Sequence, residues 1–134
     1  MATPHHIPLK TGVPEFIGDE EDVLKRYYDC AVKYDADIVV RITSDCPLID
    51  PCAIDIAIHY YLTHPYNYVC FAPVDGSDVE VFGRFLLNEA HWNTKDPYDR
   101  EHVTPYMRRA TKLSVDTKED LRRVREWTGI IKPF

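Results

Sequence analysis

Segments with helical spacing alternate along this chain with short runs of β-branched and aromatic residues. Leu24, Tyr27, Tyr28 and Ala31 follow the i, i+3, i+4, i+7 pattern of a helix with one buried face, opening at the acidic run 19–22 and ending near residue 34. The run DIVVRI at 37–42 is typical of a buried strand. The remaining predicted elements are a helix beginning at Pro51 behind an Asp50 cap, strands at 67–71, 79–82 and 112–115, and helices at 84–93, 98–109 (kinked or begun near Pro105) and 117–127.

This α-β-α-β-β-α-α-β-α order predicts a three-layer α/β sandwich with a mostly parallel sheet. The 134 residues fit one domain. Residues 1–17 are rich in proline and glycine and are expected to form an extended lead-in, so the domain is expected to span 18–134. In such sheets, ligands bind beyond the carboxyl ends of the strands, and the polar residues just past each strand are therefore the informative ones.

Charge and cysteine content exclude several classes of protein. The net charge is −6, from 16 basic and 22 acidic residues, which argues against non-specific nucleic-acid binding. No apolar run approaches the ~20 residues that span a bilayer, and the N-terminus does not resemble a signal peptide. We therefore expect a cytoplasmic protein whose four cysteines are free thiols, although two disulfides or a metal set are formal alternatives.

Two aspartates follow predicted strands directly. Asp45 comes after the strand at 37–42, and Asp116 comes after the strand at 112–115. If both lie at the carboxyl edge of one sheet, their carboxylates form a hard-oxygen site that suits Mg²⁺ bound with substrate phosphates. The alternative is that each aspartate only caps the helix or turn that follows it.

Other polar residues near the strand ends are candidates for substrate binding. Asp78 and Glu80 share one face of a predicted strand next to the Asp75–Gly76 turn, where they could bind sugar hydroxyls or form a solvated strand edge. His102 and Tyr106 share a predicted helix face, where a structural histidine is the alternative. Three further candidates for substrate binding are Arg41, Ser44 and Arg100. Arg41 is a charge in a buried strand and should therefore meet a carboxylate or a phosphate.

Four strings, in order, resemble the cytidylyltransferases of the spore-coat polysaccharide type, which are relatives of the KDO and acylneuraminate cytidylyltransferases. They are GDEEDVLKRYYDCAVKYDADIVVRITSDCPLIDP, DGSDVEVF, DPYDREHVTPYMRR and SVDTKEDLRRVREW, and together they run from about Gly18 to Trp127. The resemblance implies a Rossmann-like nucleotide-diphospho-sugar transferase fold and Mg²⁺-dependent transfer of CMP from CTP to a sugar or sugar acid, with release of pyrophosphate. It also implies that Asp45 and Asp116 are the metal-binding aspartates.

The chain departs from that family pattern in two places. The family opens with a strand and a basic, glycine-containing loop that grips the triphosphate, and this sequence contains no such segment, so the fold is expected to be truncated at its N-terminus. The stretch between Tyr106 and Val115 is also shorter. We therefore expect weak or lost activity and an open sheet edge that favours a homodimer. The alternatives are a non-catalytic nucleotide-binding, sugar-binding or oligomerisation module, or a fragment of a longer enzyme.

Overall fold

The computed structural model describes residues 12–72 and 76–111 of the chain, which contain three strands and five helices. In chain order these are α1 (Val23–Lys33), β1 (Ile38–Arg41), α2 (Pro51–Thr63), β2 (Tyr68–Phe71), β3 (Val79–Gly83), α3 (Arg84–Asn93), α4 (Pro97–His102) and α5 (Pro105–Ala110). Residues 12–17 contain no helix or strand, and residues 1–11 of the predicted lead-in lie outside the described residues. The predicted strand at 112–115 and helix at 117–127 lie outside the described residues.

The three strands form one sheet in the order β1-β3-β2, with β3 antiparallel to both neighbours. For the described residues, the expectation of a mostly parallel sheet is therefore wrong. Only seven residues, 72–78, connect β2 to β3, and a parallel connection needs a crossover of a dozen or more. The longer connection from β1 to β2 carries α2, and these two strands do point the same way on either side of β3.

Helices cover both faces of the sheet, so the predicted three-layer arrangement is confirmed. On one face, α2 packs Ala53 and Ala57 against Val79 and Val81 of β3. On the other face, Phe82 packs against the remaining helices in a larger buried cluster. The fully or almost fully buried members of that cluster are Leu24, Ala31, Phe82, Leu86, Leu87, Ala90, Val103 and Met107. Because successive residues of β3 face opposite layers, this strand belongs to both cores.

Local capping rules set where the first two helices begin. The carboxylate of Asp22 accepts a hydrogen bond from the Lys25 amide at 2.9 Å, so α1 begins after the acidic run rather than within it. The carboxylate of Asp50 accepts from the Cys52 amide at 2.8 Å, and Pro51 is the first residue of α2. The predicted start of α2 is confirmed.

The predicted helix at 98–109 is broken into α4 and α5 by a strained turn. Val103 has φ 71° and ψ −56°, and the Thr104 amide donates to the His102 carbonyl at 2.8 Å, which closes a γ-turn around Val103. Positive φ is rare for a β-branched residue, and Val103 adopts it while fully buried. The break near Pro105 agrees with the sequence, but His102 and Tyr106 do not share a helix face, and that prediction is wrong.

Strand β3 passes into α3 without a connecting loop. Gly83 is both the last residue of β3 and the N-cap of α3. A Cβ atom at this position would lie 2.7 Å from the Tyr61 hydroxyl of α2, so a larger residue would require the Tyr61 side chain to shift. The Arg84 amide donates to the Asp37 carbonyl at 2.8 Å, which holds the junction against the start of β1.

Within the described residues, no helix is long and apolar enough to span a membrane. All four cysteines are free, at positions 30, 46, 52 and 70, which confirms the expectation of free thiols.

The two phenylalanines on either side of the β3–α3 junction give a matched test of the core. Phe82 is 0% exposed and Phe85 is 78% exposed. Phe82→Ala should lower the free energy of unfolding by about 3–5 kcal/mol, because it opens a cavity between the sheet and the helices. Phe85→Ala should change it by less than about 0.5 kcal/mol. Urea unfolding of both variants measures the difference, and equal losses would contradict the assignment of Phe82 to the core.

Candidate active site at one edge of the sheet

The carboxyl ends of β1 and β2 meet at one edge of the sheet, where β3 begins. Arg41, the last residue of β1, lies opposite Glu80, and Phe71, the last residue of β2, lies opposite Val79. The loop that follows β1 therefore emerges beside the loop that leads into β3. Asp45 belongs to the first loop and Asp78 to the second, so the structure places both at the same edge.

Asp45 is an exposed carboxylate whose negative charge is stabilised locally. Hydrogen bonding from Thr43 is the largest cause of its lowered pKa, followed by its own backbone amide, Cys46 and the charge of Arg41. Thr43 Oγ1 and Cys46 Sγ lie 3.4 Å apart, and the thiol is 3.8 Å from Asp45 Oδ1. These contacts favour the ionised form of Asp45 in the loop that follows β1.

The donor chemistry of Asp45 fits Mg²⁺, which takes one or two protein carboxylates and completes its coordination with water and phosphate oxygens. Among the described residues, no group of three or more His, Cys, Asp or Glu side chains is placed to hold a metal ion. Asp116, the predicted second ligand, lies outside the described residues, as does Asp75. The pairing of Asp45 with Asp116 as metal ligands therefore stays a prediction, and the structure describes only Asp45 of the two.

Behind Asp45, the buried carboxylate of Glu80 collects four donors from three different elements. Its Oε1 accepts from the Tyr68 hydroxyl at 2.5 Å, from Thr104 Oγ1 at 2.9 Å and from Arg108 Nη2 at 2.6 Å. Its Oε2 forms an ion pair with Arg41. Burial alone would raise the pKa of Glu80, but these hydrogen bonds and the charge of Arg41 lower it below its usual range. Glu80 is therefore an ionised, fully buried group.

The environment of Glu80 decides between the alternatives that the sequence left open. Arg41 meets a carboxylate, as predicted for a charge in a buried strand. For Glu80, neither the solvated strand edge nor the binding of sugar hydroxyls fits, because β3 is the central strand of the described sheet, Glu80 is 1% exposed, and four protein donors surround its carboxylate. Asp78 and Ser44 are exposed, where each could contact a ligand.

Arg100 and His102 lie on α4. Arg100 donates to both carboxylate oxygens of Asp22 at 2.9 Å and to the carbonyls of His91 and Thr94 at 2.8 and 3.2 Å, so it joins α4 to α1 and α3. The exposed His102 ring lies against Tyr98, with ring centroids 4.3 Å apart. Arg100 therefore connects three helices within the fold and is not part of the Glu80 cluster.

Three residues of the Glu80 cluster were missed by the sequence reasoning: Tyr68, Thr104 and Arg108. In the sequence, the one indication of a shared role was the i, i+4 spacing of Thr104 and Arg108, which places a hydroxyl and a guanidinium near each other on a helix. Nothing local in the sequence connects them to Glu80, which lies 24 and 28 positions earlier in the chain.

A model of the cytidylyltransferase family matches residues 9–129, nearly the whole chain. The chain belongs to this family, and the α/β, Rossmann-like class expected from its sequence is confirmed. A solved cytidylyltransferase from Leptospira borgpetersenii serovar Hardjo-bovis superposes with a TM-score of 0.65 at 27% identity, covering 87% of this chain and 58% of that one.

Two sequence relatives extend the comparison. The chain is 28% identical to the spore coat polysaccharide biosynthesis protein SpsF of Bacillus subtilis, over 87% of this chain and 58% of that protein. It is 42% identical to the uncharacterized protein MJ1063 of Methanocaldococcus jannaschii, over 72% of this chain and 40% of that protein. The matched regions therefore span about half the length of these relatives.

The Glu80 cluster predicts a stability effect that depends on pH. Glu80→Gln removes the carboxylate charge between Arg41 and Arg108, and should lower the free energy of unfolding by about 3 kcal/mol at neutral pH. Because the folded-state pKa of Glu80 is lowered, its contribution is fully present above its ordinary value of 4.5 and is lost as the pH falls through the folded-state pKa. The gap between wild type and variant should therefore narrow in acid.

Urea unfolding at neutral and acid pH measures this effect. Glu20→Gln is the matched control, because Glu20 is exposed and precedes α1, and it should leave stability within about 0.5 kcal/mol of wild type. A Glu80→Gln variant as stable as wild type at neutral pH would contradict the role assigned to the cluster.

Proposed function

We propose that this chain takes part in Mg²⁺-dependent transfer of CMP from CTP to a sugar, with release of pyrophosphate. The observation that carries the proposal is the exposed and ionised Asp45, which lies in the loop after β1 at the carboxyl edge of the sheet in a chain of the cytidylyltransferase family. The similarity to a protein named for spore coat polysaccharide biosynthesis supports a sugar as the acceptor.

In this reaction, a hydroxyl oxygen of the sugar bonds to the α-phosphorus of CTP and loses its proton to solvent. The bond between the α-phosphorus and the bridging oxygen breaks, and pyrophosphate leaves with that electron pair. Mg²⁺, when bound, neutralises charge on the phosphate oxygens. Asp45 would hold the cation together with Asp116, and the hydrogen bonds of Asp45 with Thr43 and Cys46 would favour its charged form.

A second candidate is binding of a nucleotide without turnover. Two of the residues predicted to bind substrate, Arg41 and Arg100, form ion pairs with carboxylates of the fold, Glu80 and Asp22. Cationic groups around the phosphates contribute much of the rate in phosphoryl transfer. This second function predicts that CTP binds but that pyrophosphate is not released.

Asp45→Asn tests both candidates. CTP affinity in the presence of Mg²⁺ should fall by about tenfold or more, since even indirect disruption of a metal site has effects of this size. Calorimetry with CTP, with and without Mg²⁺, measures binding, and pyrophosphate release measures turnover. Asp37→Asn is the matched control, because Asp37 is an exposed aspartate just before β1, at the opposite edge of the sheet, where it pairs with Arg84.

The outcomes separate the candidates. Binding and turnover that both depend on Asp45 support cytidylyl transfer, and binding alone supports the second function. Absence of CTP binding, or equal binding by wild type and Asp45→Asn, would refute both.

We also propose that the protein forms a homodimer. Leu48 and Trp92 are 91% and 69% exposed, and β1 and β2 are the outer strands of the described sheet. A stable dimer should bury at least ~1,000 Å² in total. Light scattering at micromolar concentration should give twice the monomer mass, and a monomer would contradict the proposal.

A further inference from the structure

Two buried carboxylates in this fold are paired with arginines in different numbers. Asp99 forms an ion pair with one arginine, Arg109, and accepts a hydrogen bond from Thr94 at 2.7 Å. Glu80 forms ion pairs with two arginines, Arg41 and Arg108. Among the described residues, one arginine is paired with Asp99 and two are paired with Glu80, so the ion pairs around Glu80 contain one more positive charge than negative charge.

The additional charge is carried by Arg108, because its side chain is 55% exposed and that of Arg41 is 17% exposed. Arg108 is also held in a fixed orientation, since Nε donates to the Tyr68 hydroxyl at 2.9 Å and Nη2 donates to Glu80 at 2.6 Å. Among the described residues, its Nη1 has no hydrogen-bond partner and Glu80 is its only ion-pair partner. A guanidinium fixed along one side and open on the other is prepared to bind an oxyanion.

The chain adopts unfavourable local geometry to place these groups. The γ-turn at Val103 directs Thr104 toward Glu80 and starts α5, which carries Arg108. Thr104 occupies the N-cap position of α5, yet its hydroxyl makes no capping hydrogen bond and donates to Glu80 instead. Strain of this kind persists where the surrounding structure enforces it, and it occurs preferentially at functional sites.

We infer that Arg108, positioned by Glu80 and Tyr68, is an oxyanion-binding residue of this protein. The anion is a phosphate or carboxylate group of a small molecule, bound through the open side of the guanidinium. The identity of that anion rests on the proposed function: it is either a phosphate of the nucleotide or a carboxylate of the acceptor sugar. The oxyanion site itself rests on the geometry of the Glu80 cluster alone.

Titration calorimetry of the purified protein with pyrophosphate, glucuronate and glucose tests the inference. Wild type should bind at least one of the two anions, and should not bind glucose at the same concentration. Arg108→Gln should weaken that binding by about tenfold or more. Arg108→Lys should restore it only partly, because an ammonium group cannot reproduce the fork of the guanidinium. Arg109→Gln is the matched control, since Arg109 lies on the same helix, is 57% exposed and also pairs with a buried carboxylate.

Each outcome has one meaning. Loss of pyrophosphate binding only in Arg108→Gln assigns the site to the nucleotide, and loss of glucuronate binding assigns it to the acceptor. Equal losses in both glutamine variants, no loss in Arg108→Gln, or no anion binding by wild type would overturn the inference. If CTP binding does not depend on Asp45 while anion binding depends on Arg108, the proposed function fails and the oxyanion site stands. If CTP binding depends on Asp45 while anion binding does not depend on Arg108, the oxyanion site fails and the proposed function stands.

Discussion

The buried charge of Glu80 imposes the strongest constraint on this structure. An ionised carboxylate cannot be removed from water unless opposite charges and hydrogen-bond donors surround it. Here those groups come from β1, β2 and the segment that begins α5, so the ion pairs of Glu80 exist only when three elements from distant parts of the chain are assembled around β3. A sheet register shifted by one residue would turn Glu80 toward the opposite, apolar layer with no such partners.

Local rules in the sequence account for much of the helical structure. The caps of α2 and the buried stripe of α1 depend on residues within one or two turns of each other, and both were predictable. The direction of β3 depends on a non-local pairing. The short connection between residues 71 and 79 indicated it, but the alternation of helices and strands suggested a parallel sheet instead. The γ-turn at Val103 was not predictable, because only tertiary contacts stabilise a valine at positive φ.

The residues of the candidate site also divide into those that the sequence could identify and those that it could not. Asp45 was identifiable because the end of a strand is a place defined by the sequence pattern itself. The role of Glu80 was not identifiable, since an acidic residue in an alternating strand looks the same whether it faces solvent or two arginines. Arg108 depends on contacts with Tyr68 and Glu80, which lie 40 and 28 positions earlier in the chain. The match to the cytidylyltransferase family defines the class of protein. The contacts around Glu80 became visible only in the structure.

The direct junction of β3 and α3 at Gly83 affects how the molecule moves. A loop between two elements normally absorbs their relative displacement, and here there is none. The Arg84 amide is hydrogen-bonded to the Asp37 carbonyl and the Tyr61 hydroxyl lies beside Gly83, so we expect β3 and α3 to open together in local unfolding. A displacement of β3 along its own axis would therefore be passed to α3 directly, because no flexible segment lies between the two elements.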